Sequence, residues 1–181
     1  MVSECSKLAQ REYKARHDRV ATAVHWGLCQ KYGIPSTEQW YKHRAEAVVE
    51  TQQVKLLWDF TIQTDHVIEQ RRPDIVVLEK QAKRALIIDI AVPGDCRVDE
   101  KEKEKMERYE ELAREIRRLW EVHTKVIPVV VGALGVVPDG LEQHLKTLDI
   151  EAKPDLLQKI ALLGTARILR RVLDLEDESQ G

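Results

Sequence analysis

Asp74-Ile75-Val76-Val77-Leu78 and, six residues later, Ala85-Leu86-Ile87-Ile88-Asp89-Ile90-Ala91-Val92 are the two stretches that decide the fold. The first is a short β-branched run. The second is apolar at nearly every position and ends at Pro93-Gly94, which predicts a strand covered on both faces. The link between them contains Lys80, Lys83 and Arg84 and is short enough for a hairpin. Asp89 interrupts the second run between Ile88 and Ile90. A carboxylate buried there without compensation is costly, so the fold must supply it with a partner.

Working outward, residues 54–62 are β-rich and partly alternating, and Arg71-Arg72-Pro73 punctuates the chain before Asp74. After the central pair, residues 99–122 carry an apolar stripe of Met106, Tyr109, Leu112, Ala113, Ile116, Leu119 and Trp120, with Asp99 as a candidate cap. Residues 126–131 predict a further strand. Pro128 inside it asks for a position where a backbone donor is not needed. Helices are expected over 6–32, 141–148 and 156–173, and a short one around Trp40 and Tyr41 behind a capping box of Ser36 and Gln39. Three early strands pair antiparallel in this reading. The fourth arrives after a helix and joins parallel through a right-handed crossover. The expected architecture is α/β, a mixed sheet flanked by helices.

The chain has 181 residues, 43% hydrophobic and 33% charged, which fits one domain with a buried core. Residues 1–173 form that unit, divided into an N-terminal helical part (1–50), a central sheet and helix (54–132) and C-terminal helices (138–173); 174–181 is an acidic tail expected to be disordered. A formal net charge of −2 excludes a polybasic coat. The three cysteines form no disulfide framework and point to a reducing compartment. The longest apolar run, 126–138, is broken by Pro128, Gly132 and Gly135, so no membrane span and no apolar signal core is expected.

Asp74 stands at the head of the first strand, after Pro73. If the two strands form a hairpin, Asp74 and Asp89 lie side by side at one end of it. Carboxylates held close repel unless a proton or cation sits between them. A hard divalent cation with oxygen ligands, Mg²⁺ or Mn²⁺, suits such a pair. Lys105 lies one helical turn before Tyr109, along the sheet-facing side at the start of the expected helix. Two acids and a lysine suit phosphodiester hydrolysis: the metal polarises the phosphate and the ammonium stabilises added negative charge. Two plainer readings stand beside this one. In one, Asp89 is salt-bridged to a neighbouring Lys or Arg; in the other, 99–111 is a solvated face of seven acids and four bases.

Arg72-Pro73-Asp74-Ile75-Val76-Val77 followed by Ile87-Ile88-Asp89-Ile90-Ala91-Val92-Pro93-Gly94-Asp95 resembles the restriction-like (PD-(D/E)XK) endonuclease domain. More narrowly it is similar to the endonuclease domain of site-specific non-LTR retrotransposon proteins. The likeness extends through Arg16-His17-Asp18, Leu57-Trp58-Asp59, Thr64-Asp65, Val126-Ile127-Pro128-Val129, Gly132-Ala133-Leu134-Gly135 and the stretch Leu163-Gly164-Thr165-Ala166-Arg167-Ile168-Leu169-Arg170. The resemblance implies a Mg²⁺-dependent nuclear enzyme that nicks target DNA so that the freed end primes reverse transcription, with the element RNA and the rest of a retroelement protein as partners. It implies Asp74 and Asp89 as metal ligands. Ala91 stands where restriction-type enzymes carry a strand lysine. Lys105 of Lys105-Met106-Glu107-Arg108-Tyr109 matches the helix lysine of the retroelement branch, with Arg108 and Tyr109 auxiliary. Asp65 is an auxiliary acid. The alternative is a catalytically inactive DNA-binding or protein-interaction domain of the same fold.

Phosphate contacts are expected locally, from Arg11, Lys14, Arg16 and Arg19, from Arg71 and Arg72, and from Arg167, Arg170 and Arg171. Cys5, His17, His25 and Cys29 match no common zinc spacing. His25 and Cys29 share a helix face and read as core. Trp26 and Trp40 also read as core.

Overall fold

The computed structural model describes the backbone of residues 2–179 and the side chains of residues 9–173. Helix α1 spans Val2–Lys31, and a single 3-10 turn at Trp40–Lys42 leads into the sheet. The strands are β1 (Val48–Glu50), β2 (Val54–Trp58), β3 (Ile75–Glu79) and β4 (Arg84–Ala91). Helices α2 (Val98–Arg108) and α3 (Glu110–Trp120) then cross to β5 (His123–Val130), and α4 (Leu141–Leu148) and α5 (Pro154–Ser179) close the chain.

The sheet runs β1-β2-β3-β4-β5, with every neighbouring pair antiparallel except β4 and β5, which are parallel. This is the mixed α/β architecture that the element order predicts. The β3–β4 turn is tight, with Lys83 taking a positive φ of 47°. β5 is an edge strand, so the missing donor of Pro128 interrupts no second ladder.

β4 is apolar throughout because helices cover both of its faces. Leu86, Ile88 and Ile90 pack with Ile127 and Val129 against Val20, Val24 and Leu28 of α1 and Leu157 and Ile160 of α5. Ala85 and Ile87, with Val76 of β3, meet Leu112, Ala113 and Ile116 of α3 on the other side. The alternation of side chains along a strand therefore divides the core into two layers. The α1–α5 crossing depends on Gly164: a Cβ there would stand 2.5 Å from Arg16 Cγ. No helix among the described residues is long and apolar enough to cross a membrane.

Several local expectations are corrected. β1 was not anticipated, and it lies in the stretch read as purely helical. The strand expected over 54–62 stops at Trp58, where Asp59 adopts a positive φ of 46°. The helix expected over 99–122 is two helices that break at Tyr109, and Met106 is exposed instead of joining the stripe. Arg97, not Asp99, occupies the N-cap of α2, and no side chain caps it. No capping box forms at 36–39: Ser36 Oγ accepts from Gln30 Nε2, and the short helix is only a 3-10 turn. Where composition places an acidic tail from 174, the backbone stays helical to Ser179, and residues 180–181 lie outside those described.

Candidate functional site

Ile75 of β3 is opposite Ile88 of β4. One further step in the same register sets Asp74 opposite Asp89. Residues opposite each other in an antiparallel pair share a face, with Cβ atoms about 5 Å apart. That face is the one bearing Val76 and Ile87, under α3. The two acids thus meet at the rim where β3 begins and β4 ends.

Each acid meets a cation from a different layer. Lys105, in the last turn of α2, is itself buried and brings Nζ to 2.5 Å from Asp89 Oδ2. Asp89 is only 3% exposed, so this ion pair is shielded from water. Ala91, packed with Val98 and Val130, lies two residues along on the same face. The ammonium therefore reaches the acid from the helix and not from the strand. Tyr109 is buried beside Asp89, and its hydroxyl lies 3.4 Å from the Arg72 carbonyl.

Asp74 Oδ2 accepts the Ile90 backbone N–H at 2.7 Å and lies 3.2 Å from His17 Nε2 of α1. The other ring nitrogen of His17 is 3.1 Å from Asp18 Oδ1. Burial works against charge on His17, but the Asp74 and Asp18 carboxylates outweigh it and raise its pKa to about 9. The imidazole is therefore cationic at neutral pH. Nε2 also lies 3.2 Å from the Ile90 carbonyl, which can accept its proton.

The two carboxyls are pushed in opposite directions. Burial raises Asp89, and the neighbouring charge of Asp74 raises it further, against the pull of Lys105. Burial also opposes charge on Asp74, but His17 and the Ile90 N–H overcome it and hold this carboxyl below its ordinary value. Burial, and then Asp89, push the Tyr109 phenol upward.

No protein-family model and no curated protein matches this chain.

The residues present fit a hard divalent cation. Mg²⁺ binds through one or two carboxylates and keeps several waters. Asp74 and Asp89 offer that set at the sheet rim, where the Lys105 ammonium is the cation that meets Asp89 Oδ2. Beside the acids, an open groove of about 480 Å³ is lined by Arg16, His17, Lys101 and Lys105 together with Tyr13 and Pro93. Arg16 continues into a second groove with Arg11, Arg19, Arg167 and Arg171. Burial lowers the Arg19 pKa, and the like charge of Arg167 lowers it further. Neither of these two arginines has an ion-pair partner among the described residues.

The other sequence candidates fall in varied places. Arg16 is only 8% exposed; it donates to Thr165 Oγ1 at 2.9 Å and to the Val92 carbonyl at 3.3 Å, and so braces α1 against α5 and the end of β4. Arg72 forms a two-pronged contact with Asp59, at 2.7 and 2.8 Å, and does not stand free. Arg71 is half-buried, while Arg108 and Arg170 are exposed. Lys14 pairs with Asp18, and Arg171 with Glu12. Asp65 is not brought to the site: it pairs with Arg118 at 2.7 Å, nine residues beyond Tyr109. That places its partner about 13 Å along the helix direction.

His17 is the site residue that the sequence reading left unassigned. It appeared within the Arg16-His17-Asp18 run and in a zinc spacing that was set aside. Nothing in the order of residues says that α1 crosses the sheet rim at that turn.

Proposed function

We propose that this chain is a metal-dependent DNA endonuclease of the restriction-like (PD-(D/E)XK) type. The observation that carries the reading is the meeting of Asp74, Asp89 and Lys105 at the end of the β3–β4 pair, beside a groove with cationic walls. A divalent cation held by Asp74 and Asp89 would polarise a phosphate and lower the pKa of a bound water. Lys105 stabilises negative charge as it builds on the phosphate oxygens, and His17 orients Asp74 and adds a fixed positive charge. Arg19 and Arg167, across the adjoining groove, bind the backbone of the duplex by charge. In this reading the reaction is a single-strand nick that can prime reverse transcription of an element RNA, as in non-LTR retrotransposon proteins, which places the activity in the nucleus alongside the rest of such a protein.

The test is incubation with supercoiled plasmid in Mg²⁺ or Mn²⁺. The wild type converts it to open circles. Asp89→Ala, checked for folding by circular dichroism, leaves it supercoiled. If the wild type never nicks, or the variant nicks equally well, the reading is wrong.

One observation favours a second reading. The Lys105 ammonium already neutralises Asp89. A domain that had abandoned catalysis could keep this ion pair for structure and the arginine groove for docking DNA. Salt-dependent DNA binding that survives Asp74→Ala and Asp89→Ala, with no cation bound by calorimetry, would favour it.

A further inference from the structure

A second cluster of ligating side chains lies on the same helix, further from its start. His25 and Cys29 are spaced by four residues and share one face of α1. The chain returns after the 3-10 turn to bring His43 against them. His25 Nδ1 is 2.8 Å from His43 Nε2, and Cys29 Sγ is 3.6 Å from the first and 4.0 Å from the second. All three ligand atoms lie within 4.8 Å of one another. His25 and Cys29 are each 1% exposed. We infer that His25, Cys29 and His43 form a zinc site, separate from the acidic pair, that fastens α1 to the segment entering β1.

The donor set decides the metal. Mg²⁺ and Mn²⁺ prefer oxygen, whereas Zn²⁺ accepts imidazole nitrogen and thiolate sulfur. Zinc bonds of about 2.0–2.1 Å to nitrogen and 2.3 Å to sulfur, arranged tetrahedrally, require separations of about 3.3 Å between nitrogens and about 3.6 Å from nitrogen to sulfur. The three distances in the cluster differ from these by about half an ångström or less, so modest side-chain shifts admit the ion. The thiol binds by exchange, its S–H proton leaving to solvent as the zinc–sulfur bond forms. Trp58, at the end of β2, stands edge-to-face against His25 with ring centroids 5.4 Å apart, and so walls the site with apolar surface.

Two features of the site explain why the sequence alone did not reveal it. The His25–Cys29 pair is followed by thirteen intervening residues before His43, which is no common zinc spacing. The third ligand comes from an irregular segment whose path only the fold defines.

The experiment is a Co²⁺ titration of the full chain, since Co²⁺ bound by thiolate gives a near-ultraviolet charge-transfer band. The wild type shows the band, saturating at one equivalent, and zinc abolishes it. Cys29→Ser loses the band, and His43→Ala binds at least tenfold more weakly. Cys5→Ser, Cys96→Ser and Asp89→Ala keep it. His43 is only half-buried and lies in a loop, so His43→Ala remains informative if Cys29→Ser fails to fold. A folded wild type without the band, or a band that persists unchanged in His43→Ala, overturns the inference. Because Asp89→Ala is a control here, failure of the nuclease reading leaves this result unaffected.

Discussion

His17 and His25 sit on one helix, about 12 Å apart along its axis, and their surroundings give them opposite character. His17 reaches the sheet rim between Asp74 and Asp18 and is held protonated, with its pKa raised to about 9. His25 is buried beside another imidazole and a thiol and is held neutral, with its pKa lowered to about 4. The first region is built from oxygen donors and fixed charges, the second from nitrogen and sulfur without charge. The contrast teaches that the identity of a side chain assigns little. What matters is whether the neighbouring strands deliver carboxylates or neutral rings, and this determines which class of cation each region accepts.

The largest expected effect comes from breaking the charged region on its own terms. Lys105→Met leaves a buried carboxylate without its cation and is expected to cost about 3–5 kcal/mol by denaturant unfolding in metal-free buffer at pH 8. The loss shrinks as pH falls, because Asp89, already raised, takes up a proton. The double variant Lys105→Met, Asp89→Asn restores most of the stability. A single variant as stable as the wild type would show that the contact is incidental.

The two histidines sharpen the comparison through pH. For His17 the folded pKa lies above the unfolded value of 6.5. Its contribution is fully present below 6.5 and is lost as pH rises toward about 9. The stability difference between wild type and His17→Gln therefore falls by on the order of 2–3 kcal/mol across that window. For His25 the folded pKa lies below 6.5, so stability is present above 6.5 and is lost as pH falls toward about 4. His25→Gln removes that acid sensitivity. Paired chemical-denaturation curves at several pH values, in metal-free buffer, check both signs. Parallel profiles for the two variants would erase the distinction.

A smaller effect is expected in DNA binding. Arg19→Ala or Arg167→Ala each reduces the slope of log affinity against log salt by about 1 if each guanidinium contacts one phosphate. Arg72→Ala leaves the slope unchanged, because that side chain is committed to Asp59. The smallest effect falls on Asp65. Its pair with Arg118 is exposed on both sides, so Asp65→Ala changes stability by less than about 1 kcal/mol and nicking by less than about threefold.

Much of the sheet was legible because its strands carry their own signals. The β4 run, apolar except at Asp89, the Pro93-Gly94 stop and the short basic link defined the hairpin, and Pro128 marked a position where no backbone donor is needed. β1 was not legible: three residues gain strand character only by pairing with β2. The break at Tyr109 was hidden because the apolar stripe continues across it into α3. Asp74, Asp89 and Lys105 could be named from position along predicted elements. The roles of Arg16 and Arg72 could not, since a basic residue in sequence does not disclose whether it will meet a carbonyl, a carboxylate or solvent. His17 and His43 depend on where a helix and a loop cross other elements, which is tertiary information.

The most direct test of the central claim is anomalous diffraction at the manganese edge from crystals of the protein grown with Mn²⁺. The account predicts a peak shared by Asp74 and Asp89, about 2.1 Å from a carboxylate oxygen of each. Manganese-loaded crystals with no peak at that position, and with Asp89 still held by Lys105 alone, would contradict it.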